Sequence, residues 1–184
     1  MWQASGAAGG GGGNLGFGPW GQWSTPLAKN FWVSCMGAYM TLPFVRWILA
    51  IAVLVVDAHG YSRSMPNPLA LAVSRATQDR HEAALLVVFA FRESSYRSDV
   101  RGDGGASCGA WQTPCSRTDL CTGSSAQSCF DKQAALALSI MHQSMVACPE
   151  YPLAVYASGS CSSPAGRRIS TARIAEAKAL ALHP

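Results

Sequence analysis

Glu93 is the residue around which chemistry can be built. It closes the apolar run AALLVVFAFRES of residues 83–94, one helical turn beyond Phe89 at i+4. A carboxyl placed there emerges at the edge of an apolar face and is partly desolvated, the setting a general acid needs. The stretch after it, SYRSDVRGDGGASCGAWQ (95–112), is rich in glycine and carries Asp103, Ser107 and Gln112. Polar loops on a rigid support commonly hold functional side chains. A plainer reading stands beside this one. Glu93 then becomes a surface carboxylate at a helix end, Asp103 a turn residue before Gly-Gly, and Gln112 a structural amide.

The elements that must position these residues are mostly helical. Asp79 and Glu82 fit an N-cap and its reciprocal partner three residues on, so a helix is predicted over 80–95. Leu85, Leu86, Phe89 and Ala90 form its core face. Before it, Pro66 and Pro68 mark a connection with a short helical piece near 69–74. After the Gly-rich turn, residues 113–130 read as an irregular Cys-rich loop. Asp131 is the expected cap of a helix over 132–146, with Ala134, Leu138, Met141 and Met145 on one face and His142 beside it in a structural place. Pro152 opens a short helix that Gly159 ends. Residues 162–168 read as a turn. Ser170 or Thr171 then caps a last helix to Leu182, where Arg173 and Glu176 are expected to pair at i,i+3. No useful strand-like alternation follows residue 60, so the fold class is mainly α, with little or no β-sheet around a Gly-rich loop and a Cys-rich loop.

Composition bounds the rest. The 184 residues carry a net charge of +4 and only 13% charged residues, against about a quarter in an average soluble domain. No Lys/Arg block or basic aromatic stripe appears, so nucleic acid is not an expected partner. Six of the seven cysteines lie between Cys108 and Cys161, without a C-x-x-C pair. That spacing suits disulfides better than zinc and would imply an oxidising compartment. Cys35 stands apart. Residues 1–39 are read as a disordered, Gly-rich leader. Residues 40–58 are read as an apolar segment, within an apolar run over 31–56 long enough to span a bilayer. Pro43 and Arg46 interrupt that run, so anchor, signal peptide and first buried helix all stay open for it. Residues 59–184 form the expected domain.

Three motifs resemble one family. Arg92-Glu93-Ser94-Ser95 is similar to the R-E-S segment of goose-type lysozymes and the related soluble lytic transglycosylases. Gly102-Asp103-Gly104-Gly105-Ala106-Ser107-Cys108-Gly109-Ala110-Trp111-Gln112 keeps the spacing of the goose-type G-D-x-G-x-x-x-G-x-x-Q segment. Tyr156-Ala157-Ser158-Gly159 resembles the family's Y-N-A-G, with Ala for Asn. The resemblance covers about residues 80–160. It implies a lysozyme-like domain that cleaves the β-1,4 bond between N-acetylmuramic acid and N-acetylglucosamine in peptidoglycan. Glu93 would be the general acid. Asp103 would match an Asp that positions the attacking water, and a second such Asp falls at Pro114 here, which loses that role. Ser95, Ser107, Gln112 and Tyr156 would bind substrate. The implied protein is a periplasmic, secreted or envelope-associated monomer without metal or cofactor.

Rival readings are fewer. Gly105-Ala106-Ser107-Cys108-Gly109 fits the G-x-S-x-G nucleophile elbow, but no apolar strand precedes it and no helix pattern follows, so that context fails. A glycan-binding module with a degenerate cleft is the main alternative. A membrane-anchored structural protein rests on residues 31–56 alone.

Overall fold

The computed structural model describes residues 27–62, 64–118 and 125–184, the side chains of 27–41, 117 and 118 excepted. The fold is mainly helical with one small sheet. At its centre lies α3 (Arg80–Ser94), buried continuously from Ala83 to Phe91. A helix apolar on every side must be surrounded, and α3 is packed by α1 (Leu27–Ala58), α2 (Asn67–Ala76), α5 (Ala126–Ala147) and α7 (Pro164–Ala181).

The segment expected to be anchor, signal or core helix is core over its second half. Trp47, Ile48, Ile51, Ala52, Val55 and Val56 of α1 are all buried. Trp47 also donates from Nε1 to the His183 carbonyl at 3.0 Å, tying α1 to the C-terminus. Among the described residues no helix is long and apolar enough to cross a membrane. The helix begins at Leu27, ahead of the residue-39 leader boundary. Residues 1–26, with the Gly run, lie outside the described residues, as does Cys121.

Several caps fall elsewhere than expected, and each shift has a local cause. Asp79 does cap α3, accepting from the Glu82 N–H at 2.9 Å. The Glu82 carboxylate does not reach back; it meets Thr77 Oγ1 and His142 Nε2 instead. Ser125, not Asp131, caps α5 by accepting from Ser128 N–H. Asp131 lies inside α5 and pairs with Arg75 at 2.6 Å. Ser163 with Pro164 starts α7 earlier than Ser170. Ser170 is buried inside that helix, where its hydroxyl accepts from the Leu153 N–H at 3.0 Å. At α5 and α7 a serine with the next residues already in helical geometry offers a nearer acceptor for orphan N–H groups.

The Gly-rich stretch is more ordered than a loop. Two-residue strands β1 (Arg101–Gly102), β2 (Ser107–Cys108) and β3 (Thr113–Pro114) form an antiparallel sheet, with Gly102 opposite Ser107 and Cys108 opposite Thr113. The Cys108–Cys115 disulfide closes it. A short helix, α4 (Cys115–Thr118), follows directly. A second disulfide, Cys148–Cys161, fastens the end of α5 to the turn between α6 (Ala154–Ser158) and α7. These disulfides belong with an oxidising, extracytoplasmic setting.

Candidate functional site around Glu93

Glu93 sits in the last turn of α3, and the helix stops two residues later because Ser95 turns left-handed, at φ 51°. The Ser95 N–H returns to the Phe91 carbonyl at 2.7 Å. Ser94, between them, is buried. Its hydroxyl lies 2.9 Å from the carbonyl oxygens of both Ala90 and Ala110 and accepts the Arg97 N–H at 3.1 Å. One side chain thus ends the helix and fixes the β2–β3 turn against it. The sequence singled out Ser95; Ser94 is the residue that joins the two segments.

The turn itself is held from two more directions. Trp111 is fully buried and donates from Nε1 to the Leu86 carbonyl of α3 at 2.9 Å. Tyr156 of α6 donates from its hydroxyl to the Trp111 carbonyl at 2.6 Å. Its ring meets Phe89 edge-on, with centroids 4.8 Å apart. The three stretches that the sequence marked are therefore one bonded unit. Ser94 and Tyr156 grip the adjacent carbonyls of Ala110 and Trp111, and Trp111 reaches back to α3.

Gln112 and Asp103 are used within the sheet region. Gln112 donates from Nε2 to the carbonyls of Gly109 (2.8 Å) and Val100 (3.2 Å). Its Oε1 occupies the space where a Cβ on Gly102 would lie, so a side chain there would have to displace the Gln112 amide. Asp103 is exposed and accepts from Ser107 Oγ at 2.5 Å. Among the described residues, the non-glycine residues with positive φ are Ser95, Tyr96, Asp103 and Gln112. All fall within this stretch, and three of them were singled out from sequence. Such strain is retained where the surroundings over-determine it, commonly at functional sites.

The partner of Glu93 was not foreseen. Arg173 of α7 forms an ion pair from Nη1 to Glu93 Oε1. The guanidinium carbon lies 4.4 Å from the centre of the Phe89 ring. Both side chains are largely covered, at 13% and 24% exposure. The expected i,i+3 pair of Arg173 with Glu176 does not form, because α7 packs along α3 and offers each residue a cross-helix partner. Glu176 instead accepts from Arg92 Nη2 at 3.0 Å and contacts His59 Nε2 at 3.1 Å.

The arrangement thus places one carboxylate, one guanidinium, one aromatic face and one phenol together. Burial, with the nearby Glu93 charge, pushes the Tyr156 phenol well above the ordinary tyrosine range, while Arg173 opposes that rise. Tyr156 is therefore a neutral hydrogen-bond donor here. Asp103 and Ser107 form a separate cluster. Among the described residues no group of three or more His, Cys, Asp or Glu side chains is placed to hold a metal ion. An apolar groove on α5, lined by Leu138, His142 and Val146, shares no residue with the Glu93 cluster. No family model matches the chain, and neither a curated protein nor a solved structure matches it.

Proposed function

We propose that this chain cleaves peptidoglycan glycan strands at the β-1,4 bond after N-acetylmuramic acid, with Glu93 as general acid and the muramyl C6 hydroxyl as nucleophile. The observation that carries the reading is the convergence of three separately marked stretches. The Glu93 turn, the Gln112 turn and Tyr156 are bonded to one another through Ser94, Ala110 and Trp111. A surface carboxylate at an ordinary helix end has no need of this support, whereas a catalytic acid must be held in place by its neighbours.

In this mechanism protonated Glu93 gives its proton to the glycosidic oxygen as the C1–O bond breaks. The C6 hydroxyl of the same muramyl ring then bonds to C1, and its proton returns to Glu93. This closes a 1,6-anhydro ring without added water. The intramolecular nucleophile is favoured by two features. Pro114 stands where a second water-positioning Asp would be, and Asp103 is engaged by Ser107. Glycosidases that use water usually need a second carboxylate across the bond from the acid. Ser95 and Gln112 belong to the two turns joined through Ser94 and are the substrate-binding candidates in this reading, and the disulfides suit a periplasmic, secreted or envelope-associated enzyme.

The test is mass spectrometry of fragments released from purified peptidoglycan by the full chain, with Glu93→Gln beside it. Fragments ending in 1,6-anhydromuramic acid are expected from the wild type alone. Reducing ends would replace the C6 hydroxyl with water and return Asp103 to the mechanism. No release by either chain, with retention on pelleted peptidoglycan, would leave a binding module in place of an enzyme.

A further inference from the structure

The side-chain partner of Glu93 is the Arg173 guanidinium, and that guanidinium has donors to spare beside the carboxylate. Arg173 is held in place apart from that pair. Phe89 holds its guanidinium by the ring face, an attraction independent of the carboxylate. The group has several N–H donors in a planar fork. Among the described residues its hydrogen bond is the single one from Nη1 to Glu93 Oε1. The remaining donors suit a second, bidentate carboxylate.

The substrate class in the reading above supplies one. A muramyl ring differs from an N-acetylglucosamine ring at C3, which bears a lactyl ether ending in a carboxyl. That carboxyl is free or is extended by a stem peptide with further carboxylates. C3 lies only two ring carbons from the C1 whose oxygen Glu93 must protonate, so a residue bonded to Glu93 is within reach of the C3 substituent.

We propose that Arg173 is the specificity-determining residue of the site, taking a carboxylate of the muramyl C3 substituent beside Glu93. Resting on the peptidoglycan reading, this predicts an enzyme that is slow on neutral glycans. Three substrates separate the cases: strands with stem peptides, strands stripped of peptide to leave the free lactyl carboxylate, and chitin oligosaccharides, which have no carboxylate. Each is given to the full wild-type chain and to Arg173→Lys, which keeps the charge but loses the planar fork, with Arg173→Gln as a second variant. Melting temperatures are measured alongside.

Wild type is expected to favour at least one muramyl substrate over chitin by about tenfold or more, and Arg173→Lys to reduce that ratio by about tenfold. The faster of the two muramyl substrates identifies the source of the carboxylate. A ratio near one in wild type overturns the proposal, as does an equal loss on every substrate in a folded variant. Absence of release from all three by wild type overturns the peptidoglycan cleavage reading itself, and this proposal with it.

Discussion

Two clusters of the same residue types join α3 to α7, and they are wired in opposite directions. In one, α3 gives the acid and α7 the base: Glu93 pairs with Arg173, beside Phe89 and Tyr156. In the other, α3 gives the base and α7 the acid. Arg92 pairs with Glu176, beside Phe91 and Tyr96. The difference lies in how fully each carboxylate is used. Both oxygens of Glu176 are engaged, Oε2 by Arg92 and Oε1 by His59, and His59 stacks on Phe91 with centroids 5.4 Å apart. Among the described residues Glu93 bonds through Oε1 alone. A carboxylate with both ends taken fastens helices together. The one with an oxygen to spare, at the end of a buried helix and beside strained backbone, is the one the proposed chemistry uses.

The largest expected contrast between the clusters is in activity. Glu93→Gln removes the proposed proton donor and is expected to lower the release of peptidoglycan fragments by about 10²–10⁴-fold. Glu176→Gln is expected to stay within about threefold, since its cluster joins helices. Equal losses in the two variants would erase the distinction. Reduction comes next. Opening Cys108–Cys115 and Cys148–Cys161 should cost about 2–4 kcal/mol each, and fragment release should fall with the first because it closes the sheet beside Glu93. Unchanged activity and melting temperature in dithiothreitol would show that the hairpin holds its shape without the staple.

Ser94→Ala should cost about 1–3 kcal/mol, since it removes a hydrogen bond to two buried carbonyls. Ser95→Ala, one residue on, should cost less than about 1 kcal/mol, and thermal melts of the two variants compare them directly. The tyrosines of the two clusters offer a pH test. Burial first, and then a nearby carboxylate, raises both Tyr96 and Tyr156 above the ordinary tyrosine range. Their folded-state pKa values are raised, so the stability they contribute is present below about pH 10 and is lost as the pH climbs further. Ultraviolet titration should find both phenols silent until the chain unfolds in alkali. Ionisation of either near pH 10 in the folded chain would show that its ring is wetter than the packing implies. The smallest effect is expected for Glu176→Gln on stability, about 0.5–1 kcal/mol, because Arg92 is well exposed.

Much of the helical framework was legible in the residues. The apolar spacing of 83–91, the Asp79 cap and the Gly159 stop all act locally, and all appear where expected. Cap choice was less legible, because Ser125 and Ser163 are as good as Asp131 and Ser170 by residue type. Only the position of the following turn decides between them. The two-residue strands were too short to show alternation. In the candidate site, Glu93, Gln112 and Tyr156 were visible as motif members. Arg173 was not: the spacing rule offered it Glu176 three residues away, while its partner lies eighty residues back in the chain. The buried tie through Ser94 was hidden for a similar reason, since Ala110 enters it as a bare carbonyl.

The Cys108–Cys115 bond has a consequence in time as well as in space. It joins residues seven apart across the turn that Ser94 and Tyr156 grip. A chain newly made in a reducing cytosol would have these thiols apart and its Gln112 turn unstapled. The bond would close only in an oxidising compartment. The turn that Ser94 and Tyr156 grip would therefore take its stapled form late in the life of the chain, after the helices around it have packed.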